Sequence, residues 1–472
     1  MHYLVIDLTH GGVKIAVSLA KKGKTVSAYD IYNTLKPADR EMMGIHDIDI
    51  IGLDDLANLK GDITVICPIH CPLDEDEIVK FNPDLNYTFK THHEAISDIL
   101  SDWGKDILKI EVTGVKGKTS CVFMLKEILI DENPLILSSL GARLYENDKE
   151  FILKKDISIT PANIKETIDL AYKIANPICE IADGTVESPN HRKYSSAIFE
   201  SSLGCCGIGD VGLLTNIVEN YPIAKNKSTA AEAKKQVFRC PVVVCNKESL
   251  DEHYCDVTHP KVNSFSLNDD ASNLHVRNVN YSIDLTEIEI EYHDVKTISG
   301  EILNGEITVK TFAPGPHHVL NVLGVILTAL SLNINHEKII NGLANFKGIT
   351  GRTNKRSNGD LTIIEEINPG INTEAIKQSI EMIENIDDYY ISIGGDYGIT
   401  CEEIDEDKVS NYLDEIDCNI ILTGDVGYSI LNKMSKKVPY IKNYNQVYDM
   451  ALKDNKNLLF IYRSNYSKVS QR

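Results

Sequence analysis

Runs of apolar residues alternate with amphipathic stretches along the chain, in blocks that predict an α/β protein. "YLVIDL", "TVSAYDIY" and "DITVICP" are apolar on both alternating faces, as parallel strands buried on both sides read. Between the first two, "THGGVKIAVSLAKKG" predicts a turn and a helix that stops at Gly23. "HHEAISDILSDWG" predicts the helix that closes this first unit near Gly104. A second unit opens on the strand "ILKIEVTG" and continues through the strands "YSSAIFESS", "VGLLTNI" and "CPVVVCN". The helix "STAAEAKKQVF" lies among them, with Ser228 as its expected N-cap. "TEIEIEY" and "EITVKTF" switch to strict period two, the mark of antiparallel strands. The apolar segment Val319 to Leu332 predicts a buried helix. The polar stretch "GITGRTNKRSNGD" reads as a linker and flexible joint. Beyond it "LTIIEEI", "DYYISIGG", "NIILTG", "VPYIKN" and "NLLFIYR" alternate with helical stretches.

The predicted fold class is therefore α/β in three domains. Residues 1–104 form a Rossmann-like N-terminal domain, 105–350 a central α/β domain and 351–472 a second Rossmann-like domain. In the first, Gly11-Gly12 sits where a dinucleotide fold places its glycine turn and Asp30 ends the second strand. The full G-x-G-x-x-G spacing is absent, so a tight turn serves equally well.

Composition narrows the function classes. A chain of 472 residues exceeds what one core supports. Its net charge of −21 disfavours nucleic acid as a partner, which selects Lys and Arg, and disfavours anionic membranes. Asp7 and His10 interrupt the first apolar run, so no signal peptide is read there. Val319 to Leu332 is too short to span a bilayer and carries Asn321. A cytoplasmic protein is expected. The eleven cysteines are scattered and predict no disulfide framework. "CPIHC", with Cys67, His70 and Cys71, invites a metal reading, as does the group Cys240, Cys245, His253 and Cys255. Neither has paired C-x-x-C knuckles, and buried thiols are the favoured alternative.

The chemistry concentrates at "EVTGVKGKTS". Gly114, Val115, Lys116, Gly117, Lys118, Thr119 and Ser120 follow an apolar strand and open a helix. Backbone N–H groups at such a helix start cradle phosphate oxygens. Lys118 would reach the β- and γ-phosphates of ATP, and Thr119 would offer its hydroxyl to Mg²⁺. Val112 stands where the general phosphate loop has its first glycine, so this is a shortened G-x-x-G-K-T-S form.

That shortened loop resembles the Mur ligase family, three-domain enzymes that join a carboxylate to a nucleophile at the expense of ATP. Other family marks occur in order. Thr160-Pro161 resembles the family's Thr-Thr-Pro loop, and Thr215-Asn216 its next strand end. Glu200 matches the strand-end glutamate on Mg²⁺. Lys234 occupies the place of the lysine that many members carbamylate. Gly315-x-His317-x-x-x-Asn321 resembles the segment that lies against adenine. Gly351-Arg352 matches the pair whose arginine meets the γ-phosphate. The resemblance thus implies a central ATP-binding domain of P-loop ATPase type. It implies Lys118, Glu200, Lys234 and Arg352 in catalysis, and Thr119, Glu200 and Lys234 around metal. Three places depart from the family: Asn220 and Tyr221 replace its Asp-His, His318 replaces its first adenine-side Asn, and "EEINPGINTEAI" replaces its Asp-x-x-Ala-His-Asn-Pro.

Within the family, "VIDLTHGG", "EVTGVKGKTS", "FESSLG" and "EINPGIN" resemble the methanogen branch that completes a nickel tetrapyrrole coenzyme. That resemblance implies activation of a propionate side chain by ATP, then attack by a ring carbon to close a carbocycle. The Gly-rich stretch Gly204 to Gly212 either admits a flat macrocycle close to backbone or serves turns. A peptide ligase acting on a precursor of the archaeal cell-wall polymer pseudomurein is the alternative. An ATP-driven nickel or cofactor carrier without ligation is the alternative from another class. The expected partner is a small molecule, and the sequence leaves the oligomeric state open.

Overall fold

The computed structural model describes residues 2–175, 194–350, 352–358, 361–383, 388–398, 404–464 and 469. The chain divides into two compact units. The first comprises Met1–Arg277, Ile290–Ile307 and Leu320–Gly342, and the second Asn278–Glu289, Thr308–Val319 and Leu343–Arg472.

The first unit begins with β1 (His2–Ile6), β2 (Thr25–Tyr29), β3 (Asp49–Ile50), β4 (Asp62–Cys67) and β5 (Asn86–Thr91). These make a parallel sheet of order β3-β2-β1-β4-β5. Its alternating side chains enter two different cores. Leu4, Ile6, Ile63 and Val65 pack on one face, and Val5, Ile66, Val26 and Ala28 on the other. Burial on both faces is why the strands carry continuous apolar runs. The helix His92–Ile99 starts where Thr91 accepts from the N–H of Glu94 and Glu94 reaches back to the N–H of Thr91, a capping box.

A larger sheet follows. Its strands are β6 (Leu108–Thr113), β7 (Leu135–Ser138), β8 (Gly141–Glu146), β9 (Lys149–Lys154), β10 (Ser196–Glu200) and β11 (Val211–Leu214). A small ladder, β12 (Pro222–Ile223) with β13 (Ser228–Thr229), stands apart, and β14 (Val242–Asn246) and β15 (Val262–Ser266) return to the sheet. The order from one edge is β9-β8-β7-β10-β6-β11-β14-β15. Beyond β15 the sheet adds β16 (Leu274–Asn280), β17 (Thr286–Lys296) and β18 (Ile302–Thr311), which contribute residues to both units. The two sheets of the first unit share one core. The helix Pro161–Ala175 sends Ala162, Ile164 and Ile168 into the same apolar cluster as Ile15, Ala95, Ile96, Leu135 and Phe199. Lys14 fastens this seam by donating to Glu166 at 2.6 Å and to Asn163 at 2.5 Å.

The second unit holds β19 (Thr353–Asn358), β20 (Leu361–Ile367), β21 (Tyr389–Gly395), β22 (Ile420–Thr423), β23 (Tyr440–Ile441) and β24 (Asn457–Arg463). Their order is β19-β20-β24-β21-β22-β23, parallel except for β19. Apolar clusters around Ile391 and around Phe460 cover its two faces. Here the linker reading is corrected. "TNKRSN" is not a free joint but an edge strand, antiparallel to β20 from Thr353↔Glu366 to Asn358↔Leu361. Its polar composition suits an edge, where charged residues discourage pairing with other chains.

Two further expectations are refined. The apolar segment forms the helix Pro316–Ser331, and among the described residues no helix is long and apolar enough to cross a membrane. The short helix Ala230–Lys234 is capped by Thr229, not Ser228. Thr229 accepts from the N–H of Glu232, while the Ser228 hydroxyl donates to the Glu232 carboxylate at 2.9 Å.

Candidate active site

The phosphate loop emerges from β6, which lies between β10 and β11. This register puts Glu200, at the end of β10, and Thr215, just beyond β11, on either side of the loop. The loop is bent by Gly114 at φ 138° and Gly117 at φ 82°, conformations that only glycine adopts cheaply. Neither position has room for a side chain. A Cβ on Gly114 would come within 2.0 Å of the Thr215 hydroxyl, and one on Gly117 within 2.0 Å of Asn321 Oδ1. Loop and strand end are laced together. Val115 N–H donates to the Asn216 carbonyl at 2.9 Å and Lys116 N–H to Asn216 Oδ1 at 3.0 Å. The Thr215 hydroxyl donates back to the Lys116 carbonyl at 2.6 Å.

The helix Lys118–Ile128 starts directly after Gly117. Lys118 Nζ folds over the loop, 3.0 Å from the Gly114 carbonyl and 3.2 Å from that of Val115. The Thr119 hydroxyl, buried, lies 3.1 and 3.2 Å from the two carboxylate oxygens of Glu200. Glu200 also accepts from Ser139 N–H at 2.9 Å. Ser120 occupies the first turn of the same helix, half-buried. A hydroxyl and a bidentate-capable carboxylate on one spot are hard oxygen donors, the set that Mg²⁺ prefers.

Lys234 is fully buried, whereas its neighbour Lys235 is exposed and pairs with Asp256 at 3.3 Å. Burial, and secondly the positive charge of Lys118, pull the Lys234 ammonium from 10.5 down to about 7. Its Nζ donates to the Tyr221 hydroxyl at 3.3 Å and lies 5.3 Å from the centre of that ring. The two departures from the family pattern therefore serve this lysine's helix. Asn220 Oδ1 accepts from Ala231 N–H at 2.9 Å, and the Tyr221 carbonyl accepts from Ala230 N–H at 2.9 Å.

Asn321 is buried against Gly117, and its carbonyl accepts from the Cys121 thiol at 3.7 Å. The first unit thus gathers Lys118, Thr119, Glu200 and Asn321 around one loop, with Lys234 near enough for the charge of Lys118 to act on it.

Arg352 belongs to the second unit, where its N–H donates to the Ile349 carbonyl at 2.9 Å; Gly351 lies outside the described residues. In that unit His318 is buried, with Nε2 2.8 Å from the Thr353 hydroxyl, which itself donates to Glu366. Burial holds His318 well below its usual range, and His317 beside it falls to about 4. Both imidazoles are neutral at physiological pH. Asn368 in "EINPGIN" donates to Glu366 at 3.0 Å and accepts from Gly370 N–H, so the altered loop is braced on the same carboxylate.

Sequence reading missed Glu111. It sits in the middle of β6, fully buried, and its carboxylate accepts from the N–H groups of Cys206, Gly207, Ile208 and Gly209 at 2.6 to 2.9 Å. A charged residue inside an otherwise apolar strand was the available signal. Glu111 shows that the turn reading of the Gly-rich stretch holds at Cys206–Gly209. Gly207 and Gly209 lie in a turn wrapped on this buried carboxylate, and a Cβ on Gly207 would meet Arg239 at 2.8 Å. Cys205, Cys206, Cys240 and Cys245 are buried thiols in this packing, and burial raises the pKa of Cys205 and Cys206.

Comparison with known proteins agrees with this geometry. Residues 355–465 match the family model described as the C-terminal domain of coenzyme F430 synthetase CfbE. The coenzyme F(430) synthetase of Methanocaldococcus jannaschii is 28% identical over 457 residues, covering 94% of this chain and 95% of that one. The UDP-N-acetylmuramate–L-alanine ligase of Clostridium acetobutylicum is 32% identical over 366 residues, covering 75% of this chain and 69% of that one. The solved MurF ligase of Thermotoga maritima in complex with ADP superposes with a TM-score of 0.54 at 13% identity, over 87% of this chain and 92% of that one. The chain belongs to the Mur ligase family, with its three-domain α/β architecture, and is an ATP-dependent ligase. Within that family it resembles coenzyme F(430) synthetase along nearly its whole length.

Proposed function

We propose that this ligase closes a carbocyclic ring on a nickel tetrapyrrole seco-precursor. A propionate oxygen of the macrocycle attacks the γ-phosphorus of ATP, ADP leaves and an acyl phosphate forms. A ring carbon then loses a proton and attacks the acyl carbon, and inorganic phosphate departs. Across both steps ATP becomes ADP and phosphate, and the macrocycle loses one water.

The observation that supports the ligase chemistry is the meeting of Lys118, Thr119 and Glu200 at one phosphate loop, with Lys234 buried within reach of the charge of Lys118. Phosphoryl transfer between two anions depends on positioning and charge neutralisation. Lys118 would neutralise the β- and γ-phosphates, Arg352 would meet the γ-phosphate, and the N–H groups of 114–120 would cradle the chain of phosphates. Asn321 would lie against the adenine. Thr119 and Glu200 fit Mg²⁺, which would supply charge neutralisation at the transferred group. Lys234 at a pKa of about 7 is largely the free amine above neutrality, the form that reacts with CO₂; its carbamate would supply an anionic oxygen for metal. We assign 1–104 to substrate binding, 105–350 to ATP and 351–472 to completing the ligase site.

The choice of substrate rests on likeness to coenzyme F(430) synthetase over 94% of the chain. Asn220 and Tyr221, which hold the Lys234 helix, also stand where amino-acid-adding members carry Asp-His. Oxygen-18 in the propionate tests the chemistry: one label per turnover is expected in inorganic phosphate. Phosphate free of label would exclude the acyl phosphate.

A further inference from the structure

The parallel sheet β3-β2-β1-β4-β5 reverses its order between β1 and β4. Open α/β sheets bind ligands outside the carboxyl ends of their strands at such a reversal. Three metal-binding side chains meet there. Asp7 directly follows β1, His10 lies in the turn Leu8–Gly12, and His70 follows β4. Asp7 is fully buried. Its Oδ1 accepts from the N–H groups of Thr9 at 3.0 Å and His10 at 3.1 Å. Oδ2 faces two imidazoles, His10 Nδ1 at 2.6 Å and His70 Nε2 at 3.7 Å. The ligating atoms of all three residues lie within 4.8 Å of one another. The two rings meet edge to face, 4.6 Å apart.

The backbone turns sharply here: Asp7 has φ 69°, a left-handed conformation that aspartate adopts more readily than most side chains. A Cβ on Gly12 would collide with the Asp7 carbonyl at 2.3 Å, so the turn is closed tightly on its own aspartate. His70, partly exposed, faces Oδ2 at 3.7 Å, beyond hydrogen-bond length. Two imidazoles and one carboxylate suit borderline divalent metals, whereas Mg²⁺ and Ca²⁺ take oxygen shells. An ion bonded at about 2.0–2.2 Å needs its donors about 3–3.5 Å apart, so small rotations of both rings suffice. The free thiols of "CPIHC" turn to each other, Cys67 and Cys71 sharing a hydrogen bond, and only His70 of that motif joins the cluster.

We propose that Asp7, His10 and His70 bind a divalent transition-metal centre of the nickel, cobalt or zinc class. The centre is either a free ion held by all three side chains, or the metal of a metallated macrocycle, whose four ring nitrogens leave one of these imidazoles a single axial position on this face; the second source rests on the proposed function. The test is titration of the full-length chain with Co²⁺, read in the visible spectrum. One equivalent is expected to bind, about ten-fold or more weakly in each of His10→Gln and His70→Gln, with ADP affinity unchanged as the control for folding. If the metal belongs to the substrate, free Co²⁺ does not bind. Wild-type protein then prefers the nickel seco-tetrapyrrole over its metal-free form, and the variant that lacks the axial imidazole, His10→Gln or His70→Gln, loses that preference. Co²⁺ binding that is absent, or indifferent to both substitutions, together with no preference for nickel, overturns the proposal. If the chain binds neither macrocycle, the proposed function fails and the Co²⁺ result stands alone.

Discussion

Lys234 offers a test that separates a buried, functional amine from an ordinary surface lysine. Replacing it by Met keeps the length of the side chain and removes the charge. The ammonium is drawn from 10.5 to about 7, chiefly by burial, and a shift of this size corresponds to about 5 kcal/mol at most, at about 1.4 kcal/mol per unit. The folded pKa lies below the unfolded one, so the unfolded chain binds the extra proton between pH 7 and 10.5. Wild-type stability must therefore rise with pH through that window, and the full penalty is carried below it. Lys234→Met escapes the penalty but loses the hydrogen bond to Tyr221, worth about 1 kcal/mol. Urea unfolding in CO₂-free buffer should find the variant about 2–4 kcal/mol more stable than wild type at pH 6. The advantage should shrink at pH 8 and vanish near pH 10, while ADP release falls to background at every pH. A stability difference that does not change between pH 6 and 10 would refute the reasoning.

Two further perturbations probe the loop and its support. Gly117→Ala places a Cβ at φ 82° and 2.0 Å from Asn321 Oδ1; it should cost about 2 kcal/mol or more and abolish the thermal stabilisation that ADP gives the wild type. Glu111→Gln turns an amide toward N–H groups that now share a carboxylate; denaturant unfolding should record a loss of about 2–4 kcal/mol, with the substrate KM of the folded fraction unchanged.

Much of this was legible along the chain because the signals are local. Apolar runs marked the strands, and Gly114 to Ser120 marked the phosphate loop between a strand and a helix. Other features depend on what lies across the fold. β19 was hidden by its polarity, since Arg356 on this edge gains its partner Glu365 only by pairing with β20. Lys234 and Lys235 are neighbours in sequence, and only the packing of a five-residue helix against Tyr221 decides which is buried. Glu111 reads as a flaw in a strand until the turn at Cys206–Gly209 closes on it. The cluster of Asp7, His10 and His70 exists because β1 pairs with β4 across two intervening strands in sequence.

The central claim is tested by incubating the full-length protein with ATP and the nickel seco-tetrapyrrole, then weighing the macrocycle and counting ADP. The account predicts one ADP and one phosphate per product, a product lighter by one water without added amine, and no conversion in Lys118→Ala. ATP hydrolysis that leaves the macrocycle unchanged, or conversion that requires an amino acid, would contradict it.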